Sequence, residues 1–444
     1  MDVVEPAGDR ELKYFDLLLP LPYRVALSLV LGTKGGEVFA EHQLIETGLG
    51  IWAWGANLQY LSHLKIDVPS LIRHQHGISP RSSLSDYLST YRLALVVSIP
   101  LLFSLILFWP LTHLKATLVL YYNFFPMVYL GFVVGVFCLP ARGLAASGRS
   151  QFLSMLRRIS IGGLALSKNM KFADILLADV LTSYSKVLSD FFAAIWALAS
   201  STLGTGDASA CAGRTLVPLI TAIPPLIRFR QCLTEYLRLR ASGGPGSGGQ
   251  HLANALKYAS AFPIIFLTPP PLGQQAETLE EGSPARKLLS SSWLLAVVLN
   301  SLYSFYWDVA RDWDLTLFSS LAQSVRTLRP LSRRSQTQAR QGPSFPFGLR
   351  SQRWFPRAGF YYSAILLDLF LRFTWILKVS PYSEYFGTVE SGMMLLVWAE
   401  IFRRWIWLFL RLETEWIRRA ADRVHEALDA TELEGEEVTS RGYV

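Results

Sequence analysis

The sequence predicts an all-α protein, a polytopic membrane helical bundle of about nine transmembrane helices (roughly eight to ten). Three observations carry this reading. Of the 444 residues 51% are hydrophobic and only 17% charged, and the mean hydropathy is positive; that is too apolar for an ordinary soluble domain. Apolar runs approaching or exceeding the ~20 residues of a bilayer span recur along the chain. Lys and Arg concentrate between those runs, in segments that alternate with basic-poor ones, as the positive-inside rule requires.

In chain order, residues 1–16 form a polar N-terminal tail and 17–145 hold the N-terminal transmembrane helices. The first span is interrupted. LLLPLPYRVALSLVLG (17–32) and GLGIWAWGANLQYL (48–61) are each short of a crossing, and joined directly they make one good helix. The polar stretch 33–47 between them reads as an insertion, which sequencing of the transcript tests. Further spans are expected at 93–110, 117–139, 172–200, 213–229, 251–268, 292–309, 358–379 and 386–411. The basic amphipathic segment 150–168 is expected at the membrane interface. Residues 146–428 form the core of the protein, and the acidic tail 429–444 is expected to be disordered. Segments 241–250 and 330–348 have linker composition.

Segments 62–92, 140–171, 229–250 and 310–357 are rich in Lys and Arg, with nine arginines from Arg311 to Arg357; the connecting segments on the other side are poor. This places the C-terminus in the cytoplasm and, for nine spans, the N-terminus in the lumen. The net charge of +8 follows from these loops, so no nucleic-acid partner is expected; the lipid bilayer is. Three scattered cysteines give neither a disulfide framework nor a metal site. His74 and His76 lack further ligands, and no metal or cofactor is expected. P-loop, nucleophile-elbow and zinc-protease motifs are missing from the sequence, so the expectation is a protein that is not an enzyme.

The informative residues are charges inside apolar runs. Asp179, Ser183, Lys186 and Asp190 form one polar stripe down 172–192. Asn254 and Lys257 share a face, as do Asp308, Arg311 and Asp312, then Asp368, Arg372 and Trp375, and finally Glu400, Arg403 and Arg404. A charge at the bilayer centre costs roughly 2.5–3.5 kcal/mol on insertion scales, so such groups face partners or a water-filled cavity. Two accounts are open: ion pairs that fix packing register, or a polar pathway for an oxyanion, since the planar fork of arginine suits phosphate.

The strings FADILLADVLTSYSK (172–186), PPLIRFRQCL (224–233), HLANALKYAS (251–260), NSLYSFYWDVARDWDL (300–315), YYSAILLDLFLRFTW (361–375) and EIFRRWIWLFLRLETEW (400–416) resemble, in order, the EXS-domain membrane proteins. That family includes the eukaryotic phosphate exporter that doubles as the xenotropic retrovirus receptor, and fungal Golgi proteins named for an ER-retention defect. The N-terminal strings are more similar to the fungal branch, where the two pieces of the first span run on directly. The exporters carry an N-terminal SPX domain; only about fifteen polar residues precede the first apolar run here, so its regulation is expected to be absent.

The resemblance implies a phosphate pathway through Asp179, Lys257, Asp308, Arg372, Trp375, Glu400, Arg403 and Arg404. Thr182 joins them, at the position where the exporters carry Asn. It further implies a multi-pass Golgi membrane protein, cycling with the ER, that moves inorganic phosphate left by glycosylation from lumen to cytosol. This would support retention of ER residents and recycling of Golgi glycosyltransferases. The alternative is a sorting scaffold without transport activity. Inorganic phosphate and the glycosyltransferase sorting machinery are the expected partners, with a homodimer left open.

Overall fold

A computed structural model of the chain describes residues 20, 22–25, 50–72, 82–113, 115–122, 124–139, 146–203, 206–242, 248–268, 284–320, 346–379 and 390–441. The suggested insertion at 33–47 and the tail at 1–16 lie outside them. Among the described residues the architecture is all-helical, without a strand. After a helical turn at 22–25 come α1 (Ile51–His63), α2 (Val68–Ile72), α3 (Ser82–Thr112), α4 (Ala116–Tyr121) and α5 (Phe124–Cys138). Next are α6 (Ala146–Arg157), a π-helical turn (Arg158–Gly162), α7 (Lys168–Ser183), α8 (Ser185–Leu203) and α9 (Gly206–Ala241). The chain continues through α10 (Gly249–Ala259), α11 (Ala261–Phe266), α12 (Pro284–Trp307), a second π turn (Asp308–Asp312), α13 (Ala358–Arg372), α14 (Ile376–Val379) and α15 (Glu390–Arg441).

Among the described residues four stretches are long and apolar enough to cross a membrane: Tyr87–Thr112, Thr117–Cys138, Leu216–Ala241 and Lys287–Asp312. The count of nine is not reached on that measure. Expected spans 172–200, 251–268 and 358–379 are each broken in the middle, and 386–411 carries four buried or half-buried charges among the described residues.

The breaks have local causes. At Tyr184 (φ −93°, ψ 7°) α7 stops because hydroxyls compete for its carbonyls: Thr182 Oγ1 donates to Asp179 O at 2.7 Å and Ser185 Oγ to Thr182 O at 2.8 Å. Ser260 ends α10 in the same way, donating to Lys257 O at 2.7 Å, with Pro263 three residues on unable to donate. Thr374 Oγ1 bonds Leu371 O at 2.9 Å where α13 ends. The polar stripe expected down 172–192 is therefore two pieces. Asp179 and Ser183 are buried, whereas Lys186 pairs with Asp190 beyond the break, its side chain 45% exposed.

Two apolar cores hold the bundle. One gathers Tyr23, Val97, Leu101 and Phe108 with Tyr129 of α5 and Trp398 and Ile401 of α15. The other packs Leu61, Leu71, Leu176, Val309, Trp313, Tyr361, Trp407 and Leu410. Helix α1 lies close on α3 because Gly55 has no side chain: a Cβ there would sit 2.7 Å from the Tyr91 ring.

Helix α15 enters both cores. Its 52 residues make a rod of about 78 Å at 1.5 Å per residue, more than twice a bilayer core. It also corrects one expectation: the stretch from 429 continues as helix to Arg441. The reason lies in composition, since Ala430, Leu433, four glutamates and Arg441 favour the helix against Gly435 and a few weaker formers. Of the linker 330–348 only 346–348 are described, as a turn in which Gly348 takes φ +75° against Leu317. Directly after it Leu349 is fully buried.

Candidate anion site

The breaks in α7, α10 and α13 and the second π turn surround one buried cluster of charges, completed by α9 and α15. The π turn aims two carboxylates inward. The Trp313 N–H reaches back five residues to Asp308 O at 2.9 Å, and this wider turn puts Asp308 and Asp312 on one face.

Asp308 is 0% exposed and serves three cations. Lys257 Nζ lies 3.0 Å from its Oδ1, Arg403 Nη1 lies 3.2 Å from Oδ2, and Arg372 Nη2 pairs with Oδ2. Asp368 accepts Arg403 Nη1 at 3.0 Å and Arg372 Nε at 3.1 Å. Glu400 takes Arg403 Nε at 2.9 Å and Nη2 at 2.5 Å, a bidentate grip. Arg403 therefore touches three carboxylates.

On the other flank, Arg228 Nε donates to Asp179 Oδ1 at 2.6 Å, the Tyr258 hydroxyl donates to the same oxygen, and Arg228 lies 4.9 Å from the Tyr258 ring centre. Arg228 Nη1 also donates to Gln231 Oε1 at 2.7 Å.

Arg404, next in sequence to Arg403, is treated differently. It is buried, with 6% exposure, and among the described residues has no carboxylate within salt-bridge reach. Its Nε donates to Ser183 Oγ at 3.0 Å, its Nη2 to Thr182 Oγ1 at 3.3 Å, and its guanidinium lies 4.6 Å from the Trp407 ring centre. Ser183 in turn donates to Glu400 Oε1 at 2.7 Å. With Arg411, whose Nε lies 4.0 Å from Asp312, the cluster holds one more cation than carboxylates, and the unmatched one is Arg404.

Eight of the nine residues singled out from sequence thus converge: Asp179, Thr182, Lys257, Asp308, Arg372, Glu400, Arg403 and Arg404. Trp375 lies beside them without engaging a charge; its Nε1 donates to Ser301 Oγ at 3.1 Å. Arg311, grouped with Asp308 and Asp312 by spacing, is exposed. Sequence reasoning missed Arg228, Tyr258 and Gln231. The signal available was the pair Arg228 and Gln231 three residues apart in PPLIRFRQCL, at the end of the span expected to stop at 229. Helix α9 runs on to Ala241, which leaves Arg228 inside it.

The chain is similar to known proteins. Protein ERD1 homolog 1 of Schizosaccharomyces pombe is 32% identical over 273 residues, 60% of this chain and 62% of that protein. Protein ERD1 of Kluyveromyces lactis is 32% identical over 250 residues, 55% of this chain and 58% of the other. The human Solute carrier family 53 member 1 is 25% identical over 312 residues, 67% of this chain and 40% of its own length. The matches span about six-tenths of the length of the two fungal relatives. Residues 43–417 match the EXS family, beginning well ahead of the motif-bearing stretch. The apolar helices agree with that match, and the chain is a membrane protein belonging to the EXS family.

Proposed function

We propose that this protein carries inorganic phosphate across the Golgi membrane, from lumen to cytosol, with its C-terminus cytoplasmic and without catalysing a reaction. The observation that carries the reading is Arg404: a buried guanidinium that has no carboxylate partner among the described residues and is flanked by the hydroxyls of Thr182 and Ser183. An isolated buried cation is costly; a passing oxyanion supplies what is missing, through two N–H donors from Arg404 and hydroxyls that turn to donate. The surrounding carboxylates hold the other arginines in place and keep the site from binding phosphate too tightly to release it. Removing lumenal phosphate left by glycosylation would in turn support glycosyltransferase recycling and retention of ER residents.

The test is radiolabelled phosphate efflux from proteoliposomes, comparing the parent with Arg404→Gln. This variant leaves every carboxylate of the cluster paired, so folding is preserved and can be verified by thermal unfolding in detergent. Efflux from the parent and its loss in the variant support the reading. A folded parent without efflux favours the sorting scaffold, with the charges acting as packing pairs. Equal efflux from both keeps transport and removes Arg404 from the site.

A further inference from the structure

Along α15, Arg404, Arg411 and Arg418 recur every seven residues. One face of the helix therefore carries three guanidiniums spaced about 10 Å apart. Their exposure rises toward the C-terminal end: Arg404 is buried, the Arg411 side chain is 12% exposed and that of Arg418 43%.

The middle arginine is under-used. Its Nη1 is buried and makes no hydrogen bond among the described residues. It stacks on the Phe172 ring at 5.4 Å, and its nearest carboxylate, Asp312, is 4.0 Å away, beyond hydrogen-bond range. Lys257 faces the same carboxylate at 3.7 Å, also too far. What holds Asp312 is Trp407, whose Nε1 donates to Oδ2 at 3.2 Å. Asp312 thus stands between two cations that do not grip it, and the fully buried Trp407 touches both this carboxylate and the Arg404 guanidinium.

We propose that Arg411 forms a second anion subsite, one step further along α15 than Arg404, in which the Asp312 carboxylate is the occupant that a passing phosphate displaces from between Lys257 and Arg411. The proposal rests on the transport reading above and extends it: an anion leaving Arg404 passes Trp407, is taken up at Arg411 and is delivered to the exposed Arg418. Two sites of moderate affinity in series suit conduction better than one tight site. Asp312 keeps the second site weak.

The test uses the full chain, with inorganic phosphate binding measured by calorimetry in detergent and efflux measured in proteoliposomes. Asp312→Asn should bind phosphate about three- to tenfold more tightly, as expected when a competing charge is removed, and Asp312→Asn combined with Arg411→Gln should lose that gain. Arg411→Gln alone should lower maximal efflux about tenfold, the scale of one charge-assisted contact, while Arg411→Lys retains most of it. A purely structural Arg411–Asp312 contact predicts the reverse for Asp312→Asn, weaker or unchanged binding, and that result overturns the subsite. So does parental efflux from Arg411→Gln. A parent that neither binds nor moves phosphate overturns the transport reading and the subsite together, which separates the two failures.

Discussion

Two buried ionic centres in this protein are built from the same chemistry and finished differently. Around Glu413 each charge has an opposite partner. Glu413, 0% exposed, accepts the Trp354 N–H at 2.6 Å and the Tyr361 hydroxyl, and pairs with Arg350. Arg350 Nη1 also donates to Trp313 O and Thr414 Oγ1, both at 2.7 Å, and its Nε to Gln352 O at 2.9 Å. This centre ties the segment after residue 346 to α15. The cluster around Asp308 is denser in charge and opens to solvent chiefly at Glu400, whose side chain is 39% exposed, yet among the described residues it leaves Arg404 without a carboxylate. A network whose charges are all paired fixes structure; on the transport reading proposed above, one with a cation unmatched keeps a place for an anion. The ionic groups at Glu413 thus explain packing, and Arg404 is the group on which the proposed anion reading rests.

The comparison can be broken from the largest effect downward. Arg350→Ala strands Glu413, and Arg403→Ala strands parts of Glu400, Asp308 and Asp368; each should cost about 3–5 kcal/mol, as breaking a buried pair does. Thermal unfolding and yield in detergent check this. If Arg350→Ala is neutral, the Glu413 centre is not the clamp described.

Arg404→Gln should leave stability within about 1 kcal/mol and yet reduce phosphate efflux about ten- to a hundredfold, the worth of hydrogen bonds to a charged group. Destabilisation matching that of Arg403→Ala would erase the distinction between the two arginines. Gly55→Ala drives a methyl group into the Tyr91 ring, which is itself held by a 2.7 Å hydrogen bond to Gln59. It should destabilise the α1–α3 contact by about 1–3 kcal/mol, with efflux per folded molecule unchanged.

Ser183→Ala removes one link between Arg404 and Glu400 and should cost about 1 kcal/mol, seen as a small shift in unfolding midpoint. Lys186→Ala, acting on a partly exposed pair one turn apart, should change stability by less than about 0.5 kcal/mol. A larger loss would return Lys186 to the buried stripe that its spacing suggested.

Much of the site was legible because charges in apolar runs are too costly to be incidental: Asp179, Lys257, Asp308, Arg372, Glu400, Arg403 and Arg404 stood out on that ground alone. Arg228 did not, because at the expected end of a span a cation reads as a loop charge. Only the continuation of α9 shows it to be interior. The breaks at Tyr184 and Ser260 were hidden for a related reason: a serine or threonine continues or ends a helix according to whether its hydroxyl finds a backbone carbonyl, and composition does not say which. The extent of α15 was misjudged in the other direction, since acidity was read as disorder although the residues themselves favour helix.

The sequence by itself determined the class of this protein, helical and membrane-bound, and the inventory of buried charge, because both follow from transfer energies that each residue carries wherever the chain goes. Tertiary structure alone decided which charges meet. Arg403 and Arg404 are adjacent and chemically identical, yet about 100° apart around α15. One faces Asp308, Asp368 and Glu400; the other faces two hydroxyls and a tryptophan. Pairing depends on the position of α7, the π turn and α13 around that helix, and no local property of two neighbouring arginines specifies it.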